Sequence, residues 1–172
     1  MGGYAVSMSF VIAMLAFLLV GAWRDIATRT IPDGVSVLVA VTGSLARLLQ
    51  GSPALLSSVS TALLLFLLLM VAYSRSLLGG GDVKLMTALA LGLSPFDCYL
   101  FVVATTLAGG ILGITYLMLS CRLDAMRKSR RSSLLIRLLA VEVWRIRRRG
   151  PLPYGVAIAA GGAFVFLHPG SF

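Results

Sequence analysis

Two aspartates, Asp25 and Asp82, are the residues of this sequence whose type and surroundings could support chemistry. The chain holds six acidic residues among 172 and is strongly apolar, and an ionisable group near a membrane costs free energy. Two carboxyl groups in one partly dry pocket share a proton, since both cannot ionise easily. The ionised carboxylate can then draw a proton from water while the protonated one polarises a peptide carbonyl. Such a pair predicts amide hydrolysis.

The glycine run before Asp82 sets this aspartate apart from an ordinary helix cap. Asp82 follows Gly79, Gly80 and Gly81 and precedes a short apolar segment. Aspartate is a favoured N-cap, so a capping role is the alternative. One cap does not need three glycines, however, and about 12 apolar residues span only about 18 Å of a 30 Å membrane core. We expect Asp82 to line a wet pocket near the inner face, where the glycines admit another backbone.

Asp25 lies at the end of the first apolar segment, seven residues before Pro32. The alternative to catalysis here is a solvated turn in which a neighbouring arginine pairs with Asp25. Pro32 restricts the backbone before the second apolar segment, so the connection is stiffer than its charges suggest.

Other catalytic or metal-binding arrangements find little support in the sequence. The single histidine, His168, stands near the far end of the chain. Cys98 and Cys121 fall on one predicted helix, about 35 Å apart, which is too far for a disulfide. No spacing typical of metal ligands is present, and we predict no cofactor.

The composition indicates a membrane protein that forms one helical bundle over residues 1–172. Hydrophobic residues make up 59% of the chain, charged residues 12%, and the mean hydropathy is +0.98. A membrane-spanning helix needs about 20 apolar residues. We predict an all-α polytopic fold with about six spans, of which the second and fourth are short: 4–23, 35–49, 54–73, 83–93, 97–121 and 154–167.

The basic residues predict how these spans are oriented. The net charge is +9, and most of the basic residues fall in a loop at about 122–153. Nucleic-acid binding is one interpretation of such a cluster, but between two spans it more simply marks the cytoplasmic side and contacts anionic lipid. Counting spans back from this loop puts Asp25 and Asp82 on the cytoplasmic face.

Two further patterns predict packing. Apolar and basic residues alternate with roughly helical spacing over 134–145, which predicts an amphipathic helix lying on the inner leaflet. Gly109 and Gly113 form a small-xxx-small pair in the fifth segment, which favours close approach of another helix.

The two aspartate motifs together resemble those of the type IV prepilin peptidases, which are GxGD aspartyl proteases. The resemblance rests on Asp25 followed by Ile31-Pro32 and on the GGGDVKL sequence at 79–85, with 153–158 similar to the family's last span. It implies Asp25 and Asp82 as catalytic residues of a bacterial inner-membrane endopeptidase. The implied substrate is a prepilin with a short basic leader ahead of a hydrophobic helix, cut at the cytoplasmic border.

Two departures from the family pattern refine this expectation. Long members carry an extra cytoplasmic region with zinc-binding cysteines linked to N-methylation; its absence here is similar to the short Flp (Tad-type) peptidases, which implies cleavage without methylation. Asp33 stands where the family usually has asparagine, and it could attract a basic leader or cap the second span; we favour the cap. Lys84 could favour ionisation of Asp82 or simply face lipid.

Two other classes of function remain compatible with paired membrane carboxylates. A proton-coupled carrier would place acidic groups near mid-membrane and show internal repeats, and neither is visible. A non-catalytic assembly subunit of a secretion system would use the aspartates as caps.

Overall fold

The chain folds into helices at all six predicted segments. The computed structural model describes residues 2–28, 32–126 and 154–167, and every regular element among them is helical. The helices are α1 (Gly2–Thr28), α2 (Asp33–Leu49), α3 (Ser52–Ser74), α4 (Gly80–Ala90), α5 (Pro95–Met126) and α6 (Tyr154–Phe166). This confirms the all-α class. The amphipathic helix predicted at 134–145 lies outside the described residues.

Three of the described helices are long and apolar enough to cross a membrane: Met8–Ala27 within α1, all of α3, and Pro95–Met118 within α5. Only 22% of the α3 segment and 11% of the α5 segment is buried inside the protein. Apolar side chains left exposed on this scale are those that lipid covers, so the chain is a membrane protein. The remaining three predicted spans stay predictions, since α2, α4 and α6 have 17, 11 and 13 residues.

Helix α4 is the short central element of the fold. It packs against α2 and α3 and also contacts α6. Its 11 residues give about 17 Å of helix, which confirms that the fourth segment is undersized. Neighbouring helices cover its apolar side chains on most sides: Val83, Leu85, Met86, Ala88, Leu89 and Ala90. Protein therefore surrounds α4, which permits its N-terminus to start from an irregular glycine segment.

Glycines let α6 lie close to α5 and α1. A Cβ atom on Gly161 would overlap Thr105 of α5, and one on Gly162 would lie 2.7 Å from Leu18 Cδ1 of α1. The helix is thus held on two sides by contacts that leave no room for a methyl group. These contacts hold α6 closely against α5 and against α1, the helix that carries Asp25.

The predicted small-residue pair in α5 is used at only one of its two positions. A Cβ on Gly109 would lie 2.9 Å from the hydroxyl of Tyr154, the first residue of α6. At Gly113 a Cβ would meet nothing within 4 Å in the described part of the chain. Gly109 therefore allows Tyr154, at the start of α6, to pack closely against α5, whereas Gly113 makes no close contact within the described residues.

We predict that the close contact between α2 and the end of α4 is sensitive to a single methyl group. A Cβ on Gly43 would lie 2.8 Å from Gly92 Cα, a backbone atom that cannot rotate away. Gly43→Ala should lower the free energy of unfolding by about 1–3 kcal/mol, as overpacking does, and reduce the melting temperature in detergent. Gly34→Ala in the same helix is the control, because a Cβ there meets nothing within 4 Å. Equal melting temperatures for the two variants would contradict the prediction.

Candidate active site

Asp25 is a buried helical residue. Helix α1 continues to Thr28, so Asp25 lies in its last helical turns and not in a solvated turn; the arginine pairing stays a prediction. The side chain is 6% exposed, and its Oδ2 accepts the backbone N–H of Gly155 at 2.8 Å. A buried carboxylate requires such a donor, because an unpaired charge is costly to remove from water.

Gly155 contacts Asp25 more closely than any other residue type would permit. A Cβ at position 155 would lie 2.8 Å from Asp25 Oδ2 and 2.9 Å from Asp25 Cβ. As the second residue of α6, Gly155 offers an N–H that has no acceptor within its own helix, at the helix end that favours negative charge. From the sequence, Gly155 is predicted only as part of the last span, because no spacing links it to Asp25.

Asp82 is the third residue of α4, just after the glycine segment. Its Oδ2 accepts the N–H of Gly79 at 3.3 Å, and Gly79 is the N-cap, with extended backbone. Asp82 therefore supports the helix start without being the cap residue itself. A Cβ on Gly79 would lie 2.9 Å from Asp82 Oδ2, whereas one on Gly80 would meet Tyr73 at an ordinary 3.6 Å. That Gly79, Gly80 and Gly81 admit a substrate backbone stays a prediction.

The environment of Asp82 favours its protonated form. Asp82 lies outside the three candidate spans, and burial, followed by the negative charge of Asp25, raises its pKa. The hydrogen bond from Gly79 partly opposes both effects, and together they bring the pKa from 3.8 to about 6. The influence of Asp25 means that the two carboxyl groups interact although 57 positions separate them in sequence. The ends of α1, α4 and α6 thus lie close enough together for the charge of Asp25 to influence Asp82.

The cap role favoured for Asp33 is wrong. Pro32 is the N-cap of α2, with extended backbone, and its carbonyl accepts the N–H of Val35 at 3.0 Å. Asp33 is the first helical residue and forms no cap hydrogen bond. Its Oδ1 accepts a hydrogen bond from Lys84 Nζ at 2.8 Å. Lys84 therefore pairs with Asp33, and neither interpretation offered for it from the sequence describes this contact.

We predict that this ion pair has only a small effect on activity. Asp33 and Lys84 are 74% and 58% exposed, and exposed pairs contribute about 0–1 kcal/mol. Lys84→Met and Asp33→Asn should each change the rate of substrate cleavage by less than about fivefold, since about 1.4 kcal/mol corresponds to tenfold. Initial cleavage rates of both variants and the unsubstituted protein at 50 and 500 mM salt test this. Each variant removes one partner of the same ion pair, so the two should show similar rates. A loss above about 100-fold for Lys84→Met alone would instead place Lys84 in the reaction.

Asp97 is explained by capping. The Ser94 hydroxyl donates to Asp97 Oδ2 at 2.5 Å and accepts the Asp97 N–H at 3.1 Å, at the start of α5. This is a serine N-cap with an acidic residue three positions on, and it stabilises the first turn. Within the described ranges, no three His, Cys, Asp or Glu side chains are grouped as metal ligands would be.

Comparison with known proteins gives one match. The sequence profile of the type IV leader peptidase family matches residues 12–114, which is more than half of the chain. The matched segment contains Asp25, Asp82 and the glycines between α3 and α4, and it ends before α6. No curated protein and no solved structure matches the chain significantly.

Proposed function

Because the chain belongs to the type IV leader peptidase family, we propose that it is an aspartic endopeptidase with Asp25 and Asp82 as its catalytic pair. Family membership makes it a leader-peptidase-like protease; the catalytic pair is our assignment. One observation carries it: two carboxyl groups from distant segments interact, and the pKa of Asp82 rises to about 6. A general acid must still hold a proton at the working pH, and a raised pKa extends that range upward.

The geometry supports distinct roles for the two carboxyl groups. The buried N–H of Gly155 donates to Asp25 and holds its carboxyl group in place, and we assign Asp25 as the base. Burial favours the neutral form of Asp82, which makes Asp82 the acid. Asp25 takes a proton from a water molecule as the water oxygen attacks the peptide carbonyl carbon, and Asp82 donates its proton to the carbonyl oxygen. The leaving nitrogen then takes the proton from Asp25 as the C–N bond breaks, and one hydroxyl of the gem-diol returns its proton to Asp82 as the carbonyl reforms.

We propose a Flp-type prepilin as the substrate, cut at the cytoplasmic face of a bacterial inner membrane. The resemblance to short prepilin peptidases supports the substrate class, and the basic residues of the 122–153 segment support the orientation. A basic leader must approach a protein of net charge +9. The pairing of Lys84 with Asp33 reduces the local repulsion, because charges within a Debye length of about 8 Å dominate. Residues 1–172 would act as a single membrane-embedded domain in contact with lipid.

The direct test is cleavage by the purified protein. The protein in lipid vesicles is incubated with a Flp-type prepilin, and the new N-terminus is read by mass spectrometry. We expect one cut between the basic leader and the hydrophobic helix. A prepilin with a substituted cleavage-site residue serves as the control, and a prepilin of the longer type IV class tests the finer assignment. An intact Flp-type prepilin after prolonged incubation would contradict the proposed substrate.

A further inference from the structure

Helix α6 lies beyond the segment that matches the family profile, and yet its first turn contacts Asp25. We infer that the start of α6 is a third element of the active site and that Gly155 is a positioning residue for Asp25. The inference rests on the proposed function, because it assigns Gly155 a role in the same reaction.

The hydrogen bond from Gly155 fixes the orientation of the Asp25 carboxyl group. The contact joins Asp25 Oδ2 to an N–H at the start of α6, 130 residues away, in a buried position. Holding one oxygen sets the plane of the group and hence the direction in which the other oxygen points. A base that must meet a bound water within hydrogen-bonding distance depends on that direction.

The missing side chain at position 155 matters as much as the N–H. Ordinary contacts to a Cβ begin at 3.4 Å, whereas a Cβ here would lie 2.8–3.0 Å from three atoms of Asp25. One methyl group must therefore push the carboxyl group or the start of α6 away by about half an ångström. A shift of about 1 Å in a reacting group can cost about 100-fold in rate.

The rest of α6 cannot easily move to relieve such a clash. Tyr154 lies against Gly109 of α5, and Gly161 lies against the backbone of Thr105. Gly162 lies against Leu18 of α1, the helix that also carries Asp25. The strain introduced at Gly155 is therefore taken up largely by the Asp25 carboxyl group.

The first test compares two alanine substitutions that create similar clashes, one beside Asp25 and one between other helices. Gly155→Ala should lower kcat for prepilin cleavage about 100-fold, with KM changed less than about threefold. Gly43→Ala clashes with Gly92 and should lower the melting temperature, while kcat per folded molecule stays within about threefold of the unsubstituted protein. A kcat for Gly155→Ala close to that of Gly43→Ala at equal folded fraction would overturn the inference.

A second pair of substitutions, in α5, tests the position of the start of α6 without adding atoms next to Asp25. Gly109→Leu displaces Tyr154, whereas the adjacent Gly110 is exposed and a Cβ there meets nothing within 4 Å. We expect Gly109→Leu to lower kcat at least tenfold and Gly110→Leu to leave it unchanged. Equal kcat values for this pair would overturn the inference even where Gly155→Ala fails to fold.

The unsubstituted protein separates this inference from the proposed function. If it cleaves the prepilin and the two variants within each glycine pair have equal kcat, then the peptidase function is supported and the positioning role of Gly155 is wrong. If it does not cleave any prepilin, then the proposed function fails, and the positioning role of Gly155 fails with it.

Discussion

Asp25→Asn and Asp82→Asn should each reduce prepilin cleavage by about 10²–10⁴-fold, the usual contribution of a positioned acid or base. Asparagine has nearly the same shape as aspartate, and its side-chain oxygen can still accept the N–H of Gly155 or of Gly79. The helix starts therefore stay in place, while the ability to take or give a proton is lost. Leader removal is followed by the mobility of the prepilin after co-expression and by mass spectrometry of the product.

Asp97→Asn is the matched control for these variants. Asp97 is buried, as Asp25 is, and lies in the first turn of a helix, as Asp82 does, but its hydrogen bonds are with Ser94. Its substitution should cost about 1 kcal/mol of stability through the weaker cap and leave the cleavage rate per folded molecule unchanged. Normal processing by either catalytic variant would show that the assignment of the pair is wrong. Equal loss in all three would attribute the effect to folding.

We expect kcat/KM to fall about tenfold for each pH unit above about pH 6, because the proposed acid, Asp82, loses its proton there. Burial and the charge of Asp25 raise the Asp82 pKa from 3.8 to about 6, so the protonated fraction declines through the neutral range. This parameter reports groups of the free enzyme, which is the state described here. Initial rates at low prepilin concentration between pH 5 and 8 give the profile.

The stability of the protein changes with pH in a direction that serves as an internal control. The pKa of Asp82 is higher in the folded chain than its ordinary value of 3.8, so ionisation of Asp82 opposes folding. This cost is fully present above about pH 6 and disappears as the pH falls toward 3.8. Asp82→Asn should remove that dependence of the melting temperature.

The kinetic profile has its own contradicting outcome. A kcat/KM that is constant from pH 6 to 8 in folded protein would exclude Asp82 as the proton donor.

Local composition was enough to predict most of the architecture. Six apolar segments gave six helices because the length and polarity of a segment are properties of neighbouring residues. The short α4 and the glycines before Asp82 were visible for the same reason. Whether all six helices span the membrane was not decided, since α2, α4 and α6 are short and lie partly within protein.

Roles that depend on distant partners were predicted poorly. Asp33 looked like a cap because capping is a local pattern, but its partner Lys84 lies 51 positions away and Pro32 already occupies the cap. Sequence spacing carries no information about which helix faces meet, so an exposed acidic residue at a helix start defaults to its commonest local role.

The sequence by itself determined Asp25 and Asp82 as the candidate pair, through residue type, the glycine run and charge placement. Only the tertiary structure decided that the two carboxyl groups interact and that Gly155 completes their surroundings. A glycine in an apolar helix looks the same in sequence whether its Cβ position is open, as at Gly110, or lies against the Asp25 carboxyl group, as at Gly155. The difference arises when α6 packs between α5 and α1, which brings one backbone N–H within 2.8 Å of a carboxylate 130 residues earlier in the chain.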